Sequence, residues 1–242
     1  SKPGERVRFE LAPGELVGGA LEIKAVFHGG AELGGLTASK KRTGCRVLGK
    51  DPPRHEVEAF IAARGGSLAW LYLRMFCHES NHQLAQFARG SGGGNTPGEP
   101  LYGPPSGVGI VQRDPTAGEW RFPRGPIGRK NNFFPRIFWD WKHNVAEGIT
   151  SFHSDYLERG RRDLDLLRQG HPHLPMYPEG LLLRAAIRRY NGGTEFAASA
   201  DGRHYVVSPA YTGNPGYVDD VLDDPHIHGH AVPAEARARK WP

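Results

Sequence analysis

The hydrophobic positions of the first fifty residues alternate with polar ones. Residues 7–11 and 21–27 both follow this period of two, and glycines separate the alternating stretches. Alternation bounded by glycine is typical of short strands joined by turns. We therefore predict that residues 1–50 form a small β-rich N-terminal extension of two or three strands, packed on a main body.

From residue 51 onward the hydrophobic spacing becomes helical. A Pro-Pro pair at 52–53 stands where a helix can begin, and a Gly-Gly pair at 65–66 stands where it can end. Ser67 then offers a side-chain oxygen that can cap a second, long helix. The apolar residues that follow predict that this helix continues to about Ala88.

The clearest helical pattern covers residues 135–160. Its apolar side chains recur every three or four positions, which places them on one face of a helix that begins at a proline and ends at Gly160. These side chains are Ile137, Trp141, Val145, Ile149, Phe152 and Tyr156. Further helices are predicted over 178–190, 217–222 and 233–241. We therefore predict a mainly α domain over residues 51–242.

A segment rich in glycine and proline, residues 90–105, interrupts the helical pattern. Loops of this length in a compact domain are often lids or binding loops. We therefore expect this one to be a lid or a binding loop.

The charge balance favours anionic partners. The 242 residues carry 31 Lys and Arg against 26 Asp and Glu, a net charge of +5. The basic residues are dispersed rather than gathered in a run, so we predict no nucleic-acid partner. No apolar run approaches the roughly 18 residues that a spanning helix needs, so we predict no integral membrane segment.

Neither the two cysteines nor the first residues of the chain determine the cellular compartment. Cys45 and Cys77 allow one disulfide or none. The chain begins at Ser1 without a methionine or an apolar signal segment, as expected of a domain excised from a longer protein.

Glu79 is the leading candidate for chemistry. It stands within the strongly apolar helix predicted from residue 67 onward. A carboxyl group beside such a stripe loses hydration, which disfavours its charged form and raises its pKa toward that of a general acid. The alternative is an exposed glutamate on a helix surface.

Five segments around and after Glu79 resemble, in their order, the soluble lytic transglycosylase family. They are Glu79-Ser80, residues 106–112 (SGVGIVQ), Asn144-Val145 with Gly148 and Tyr156-Leu157, residues 186–193 (AIRRYNGG) and residues 217–221 (YVDDV). The resemblance covers roughly residues 69–221 and implies a lysozyme-like helical fold. It departs from the family in a longer stretch between Glu79 and Gln112, which contains the Gly-rich loop, and in Ile110-Val111 and Gly192-Gly193.

The resemblance also implies an activity and a set of site residues. Glu79 would cleave peptidoglycan between N-acetylmuramic acid and N-acetylglucosamine, first as the acid and then as the base that closes a 1,6-anhydro ring, without a cofactor. The substrate-binding residues would be Ser80, Gly107, Gly109, Gln112, Tyr190 and Asn191. Asn144 and Gly148 would hold the long helix close to its neighbours.

The residue types fit these roles, and each has a structural alternative. Gly107 and Gly109 would let a sugar approach the backbone closely. The Gln112 amide can both donate and accept, although it could instead cap its own loop. A left-handed Asn191-Gly192 helix end would aim the Tyr190 phenol at the substrate, although Tyr190 could equally be a core side chain.

A hydrolytic enzyme would need a second carboxylate to activate water. Asp114 and Glu119 follow Gln112 and are the nearest candidates along the sequence. The alternative is that both are solvated loop acids.

His78-Glu79-Ser80-Asn81-His82 also matches a zinc-peptidase pattern. Two histidines four apart on a helix share a face and can bind zinc, with the glutamate as general base. A third ligand would come from His143, Glu147 or His153. The groups at His171-Pro172-His173 and His226 to His230 could bind metal too, or be exposed loop histidines.

These alternatives lead to different partners. The glycosidase interpretation predicts peptidoglycan as partner and a location in the cell envelope, in the periplasm or outside the cell. If the domain is a delivered toxin, a secretion-system carrier and an immunity protein are expected partners. The remaining alternative is a glycan-binding module without catalysis.

Overall fold

The structure is a computed structural model that describes residues 19–28, 37–90, 95–103, 107–112, 136–208, 214–224 and 232–237. Helices form most of its regular structure, and strands occur in two-stranded antiparallel pairs. The predicted mainly α class is therefore confirmed. Among the described helices, none combines the length and the apolar character needed to cross a membrane.

Two helices joined by a tight turn lead to Glu79. Helix α1 spans Arg54–Gly65 and helix α2 spans Ala69–Glu79, with a 3-10 turn at Gly66–Leu68 between them. Gly66 has a φ of 54°, which side-chain-bearing residues rarely adopt. Helix α1 therefore ends where the Gly-Gly pair predicts.

The predicted extension of α2 to Ala88 is wrong, because the helix ends at Glu79. Asn81 and His82 adopt φ values of 52° and 63°, and a right-handed helix cannot continue through such residues. Ser67, the predicted N-cap, lies inside the 3-10 turn, and no side-chain hydrogen bond caps the N-terminus of α2.

The central helical segment is longer and less regular than its sequence predicts. Helices α3 (Arg136–Trp139) and α4 (Trp141–Ser151) are followed by a π turn at Phe152–Tyr156 and by α5 (Leu157–Gly170). The predicted end at Gly160 is therefore wrong.

Gly160 is buried where α5 meets the next helix, α6 (Glu179–Tyr190). A Cβ atom at Gly160 would lie 2.9 Å from the backbone nitrogen of Ala186. Glycine at this position permits close helix packing and does not end the helix.

The C-terminal helices follow the sequence pattern closely. Helix α6 matches the helix predicted over 178–190, and α7 (Tyr217–Leu222) matches the one predicted over 217–222. Helix α8 (Ala234–Arg237) lies within the last predicted helix, of which residues 238–241 are outside the described residues.

The N-terminal strands form a hairpin longer than the predicted short strands. Strand β1 (Gly19–His28) pairs antiparallel with β2 (Thr37–Val47), with a register irregularity between Leu21 and Ile23. The strand predicted over residues 7–11 lies outside the described residues. The boundary between a 1–50 extension and a 51–242 domain stays a prediction.

The remaining strands are short. Strand β3 (Tyr102–Gly103) pairs with β4 (Gly107–Val108), and β5 (Phe196–Ala198) pairs with β6 (Tyr205–Val207), both antiparallel. The first pair brings the end of the Gly-rich loop to the segment that contains Gln112.

The described part of the Gly-rich loop is hydrogen-bonded to the chain that leaves α2. The backbone nitrogen of Ala88 donates to the carbonyl of Glu99, and that of Gly98 donates to the carbonyl of Ala88, both at 2.8 Å. The Asn95 side chain donates to and accepts from the backbone of Tyr102. Its role as a lid stays a prediction.

One hydrophobic core joins α1, α2, α4, α6 and α7. Helix α2 contributes the unbroken buried run from Leu71 to Cys77. Cys77 is a free thiol in this core, and burial raises its pKa. A second cluster lies under β5 and β6 and comprises Leu164, Leu174, Leu181, Ala185, Phe196 and Tyr205.

Candidate functional site

Glu79 is the last residue of α2, and its side chain is half-buried. The helix before it is apolar and almost wholly buried, so the carboxyl group stands where the core meets the surface. The C-terminal end of a helix carries a partial negative charge, which disfavours a carboxylate nearby. Both features disfavour the charged form of the carboxyl group, whereas a hydrogen bond from a donor favours that form.

Tyr217, the first residue of α7, is the hydrogen-bond partner of this carboxyl group. Its hydroxyl donates to Oε1 of Glu79 in a close contact, although the two residues are far apart in sequence. Tyr217 is 3% exposed. Burial raises its pKa well above 10, and the charge and hydrogen bond of Glu79 raise it further. The phenol therefore stays a neutral donor at physiological pH.

Sequence reasoning did not select Tyr217 as a site residue. The residue belongs to the YVDDV segment of the resemblance, but nothing in its spacing shows that its hydroxyl reaches Glu79. The pairing is long-range, and only the packing of α7 against α2 creates it.

Tyr190, the last residue of α6, lies near the same pair. Its phenol is close enough to contribute to the raised pKa of Tyr217, and its hydroxyl donates to the carbonyl of Val111 in a close contact. Its ring also packs on Tyr156 of the π turn, with ring centroids 5.0 Å apart. The structure thus brings Glu79 and Tyr190 together through Tyr217, next to the segment that ends at Gln112.

Gly107 and Gly109 are buried and serve internal packing. A Cβ atom at Gly107 would lie 2.7 Å from the carbonyl oxygen of Gln112, and one at Gly109 would lie 2.6 Å from the Gln86 amide. Gly109 also has a φ of 70°. The predicted close approach of a sugar to these two glycines is corrected, because protein atoms already occupy that space.

Gln112 caps its own loop, which is the structural alternative given for it in the sequence analysis. It is half-buried with a φ of 46°, and its Nε2 donates to the carbonyl of Gly109 at 2.7 Å, which closes its own loop. In this conformation the amide nitrogen stabilises the loop.

Ser80 and Asn191 also differ from the predicted roles. Ser80 is 1% exposed, and its hydroxyl donates to the carbonyl of Phe76 at 2.8 Å, so it caps the last turn of α2. Asn191 has a φ of −85°, whereas Gly192 has a φ of 90° and alone takes the left-handed conformation at this helix end. Asp114 and Glu119 lie outside the described residues.

Two buried amides hold the Gln112 segment in place. The Asn144 side chain donates to the carbonyl of Val108 at 3.0 Å and accepts from the nitrogen of Val111 at 3.1 Å. Gln86 donates to the carbonyl of Phe138 at 2.8 Å. The predicted structural role of Asn144 is confirmed, whereas Gln86 was missed because it was assigned to the overextended helix.

Gly148 has the predicted packing role as well. A Cβ atom there would lie 2.7 Å from the Val111 side chain and 3.0 Å from the Phe76 ring. The glycine therefore lets α4 approach both α2 and the Gln112 segment.

The His78–His82 pair does not have the geometry on which the zinc interpretation rests. Helix α2 ends before His82, so the two histidines do not share a helix face. Nδ1 of His82 lies 2.9 Å from Oδ2 of the buried Asp224. The His78 ring packs on the Tyr217 ring, with centroids 5.3 Å apart, and burial lowers the pKa of His78.

The other candidate metal ligands do not assemble either. Within the described ranges, no three side chains of His, Cys, Asp or Glu are grouped so that they could hold a metal ion. His171 and His173 are exposed on a loop, and the group from His226 to His230 lies outside the described residues.

A cavity of about 270 Å³ adjoins the end of α2. Ser80 and Asn81 form one side, and Phe87, Arg89 and Leu101 contribute to the rest. The segment after Glu79 and the described part of the Gly-rich loop thus line the same open cavity.

Comparison of the chain with protein-family models, with curated proteins and with solved structures gave no match.

Proposed function

We propose that this protein is a lysozyme-like domain that cleaves the glycan strands of peptidoglycan by lytic transglycosylation. Glu79 acts as the single catalytic residue. The observation that carries the proposal is a half-buried carboxyl group at the end of an apolar helix, hydrogen-bonded to a phenol that does not ionise at physiological pH.

The proposed reaction uses the same carboxyl group twice. Glu79 donates its proton to the glycosidic oxygen, the bond from this oxygen to C1 of the muramyl unit breaks, and C1 acquires oxocarbenium character. The muramyl 6-hydroxyl then attacks C1, and its proton returns to Glu79. A 1,6-anhydro ring forms without water as a reactant.

Tyr217 supports both halves of this cycle. Its hydroxyl fixes the orientation of the Glu79 carboxyl group by donating to Oε1. A donor also stabilises the carboxylate that forms after the first proton transfer. The buried surroundings favour the protonated acid before it.

The surroundings of Glu79 suggest where the substrate lies. The cavity is lined by Ser80, the residue after Glu79, and the Tyr190 phenol lies near Tyr217, so we assign both to the glycan-binding cleft. The net charge of +5 suits an anionic wall polymer and a location in the cell envelope or outside the cell. A secretion-system carrier or an immunity protein would be a partner if the domain is a delivered toxin.

The test is digestion of purified murein followed by mass analysis of the products. The wild-type protein is expected to release 1,6-anhydro muropeptides, and Glu79→Gln is expected to lower the rate by roughly 10²- to 10⁴-fold. Glu58→Gln is the matched control, because Glu58 is a half-exposed helix glutamate paired with Arg54 on α1. Its rate should equal that of the wild type.

Three outcomes would contradict the proposal. Products with only reducing ends would mean hydrolysis instead of transglycosylation. Loss of activity in a strong chelator would favour a metal enzyme. Binding of murein without any soluble product would favour a glycan-binding module.

A further inference from the structure

Helix α6 carries two buried arginines that share one buried glutamate. Arg184 and Arg188 have side chains 2% exposed, and the Glu195 side chain is 1% exposed. Oε1 of Glu195 accepts from Nη2 of Arg184 at 3.0 Å, and Oε2 accepts from Nε of Arg188 at 2.8 Å. Each carboxylate oxygen is thus committed to one guanidinium group.

Both arginines also hold the start of α7. Nη1 and Nη2 of Arg188 donate to the carbonyls of Asn214 and Pro215, at 2.6 and 2.8 Å. Nη2 of Arg184 donates to Oδ1 of Asp219 at 2.9 Å. The residues that the arginines hold stand two or three positions before and two positions after Tyr217, whose hydroxyl donates to Glu79.

The Arg188 contacts need the shape of a guanidinium group. Its three nitrogens bind three acceptors in two directions, with Glu195 on one side and the Asn214 and Pro215 carbonyls on the other. The guanidinium group is planar and presents its donors in a rigid fork, whereas the lysine ammonium is a point donor on a flexible stem. Lysine could keep the charge but could not keep all three bonds in place.

We propose that Arg184 and Arg188, oriented by Glu195, are positioning residues that fix the start of α7 and so set the Tyr217 phenol against Glu79, with Arg188 holding the chain before α7 and Arg184 holding Asp219. Arg188 acts here through the chain that carries Tyr217, by its bonds to the Asn214 and Pro215 carbonyls. The kinetic consequence rests on the proposed function, whereas the placement of Tyr217 does not.

The first test measures Tyr217 directly, without any substrate. Ultraviolet titration of the protein minus that of Tyr217→Phe isolates this phenol, whose pKa lies well above 10 in the wild type. The same titration difference is then measured between Arg188→Lys and the double variant Arg188→Lys/Tyr217→Phe. We expect the pKa of Tyr217 to be lower there by about one unit or more, because a phenol that is no longer held in place becomes hydrated. Circular dichroism confirms that each variant is folded over the pH range used.

Arg189→Lys is the matched control. Arg189 is the next residue on the same helix and is also ion-paired, but its partner is Asp163 on α5. This variant should leave the Tyr217 titration unchanged. An equal shift in both variants, or no shift in Arg188→Lys, would overturn the proposal.

The second test follows cleavage of soluble glycan strands. Arg188→Lys should lower kcat by about tenfold or more with little change in KM, because the cleft stays intact while the acid loses its oriented partner. A change in KM alone would overturn the positioning role. If the wild type cleaves no glycan, the proposed function fails, and the titration still decides the placement of Tyr217.

Asp219→Asn provides a milder variant should Arg188→Lys not fold. Asp219 is 36% exposed, and its replacement weakens the bond from Arg184 to α7 while Glu195 keeps both arginines paired. The Tyr217 titration should shift in the same direction by a smaller amount. An unshifted titration in this folded variant would count against the proposal.

Discussion

Helices α2 and α6 each end on a candidate site residue, but they end in different ways. After Tyr190, α6 closes with Gly192 at a φ of 90°. After Glu79, α2 closes with Asn81 and His82, which carry side chains at φ values of 52° and 63°. The stop of α6 is encoded by a glycine, whereas the stop of α2 falls on Asn and His, which carry side chains but adopt positive φ more readily than most residues do.

Tertiary contacts hold the strained end of α2. His82 is tied to Asp224, and Leu84, which also has a positive φ, is 1% exposed in the core. Gln86 is anchored to the carbonyl of Phe138. Backbone strain of this kind costs about 1–2 kcal/mol per residue and persists where the surroundings enforce it, often at functional sites.

The largest expected effect concerns the hydrogen bond at the end of α2. Tyr217→Phe removes a donor to Glu79, and a hydrogen bond to a charged group contributes about 1.5–3 kcal/mol. We expect kcat on soluble glycan strands to fall roughly 10- to 150-fold. Tyr205→Phe is the control, because Tyr205 is a buried phenol that donates to the carbonyl of Pro175, away from the site. Equal rates for the two variants would remove Tyr217 from the mechanism.

The next effect tests the glycine end of α6. Gly192→Ala should lower the free energy of unfolding by about 1–2 kcal/mol, because alanine disfavours positive φ. A Cβ atom at Gly192 meets no other atom within 4 Å, so the cost comes from the backbone alone. Gly170→Ala has equally open space at the last position of α5, and there alanine should stabilise by up to about 1 kcal/mol. Urea denaturation of both variants checks this, and changes of the same sign would contradict it.

The smallest effect is expected from replacing Asn81, just after the end of α2, by glycine. Asn81→Gly relieves the strain of a positive φ but loses a similar amount to the greater freedom of glycine in the unfolded chain. The free energy of unfolding should therefore change by less than about 0.5 kcal/mol. A destabilisation as large as that of Gly192→Ala would show that the Asn81 side chain itself stabilises this helix end.

The same comparison explains which elements the sequence could predict. Helices α6 and α7 begin and end at local signals, so their predicted ranges are confirmed. The end of α2 depends on contacts such as that of Gln86 with Phe138, which no local pattern contains. Gly160 misled the prediction because glycine both ends helices and permits close packing.

The candidate site likewise contains residues that the sequence could predict and residues that it could not. Glu79 was chosen from its apolar neighbours together with the order of the segments that follow it; it lies at the end of a buried helix, and its catalytic role stays a prediction. Its partner Tyr217 could not be chosen in this way, because their contact joins two distant parts of the chain. Gly109 and Gln112 were chosen for a ligand, yet their chemistry is used inside the protein.

The π turn at Phe152–Tyr156 has a consequence for chain length in this region. A π turn accommodates one more residue than an α turn, and each residue rotates a helix by about 100°. A chain one residue shorter here would turn the whole of α5 on its axis. The charged side chain of Arg161 would then face α6, at the position where Gly160 now lies against Ala186. Insertions and deletions should therefore be far less tolerated at this turn than single substitutions are.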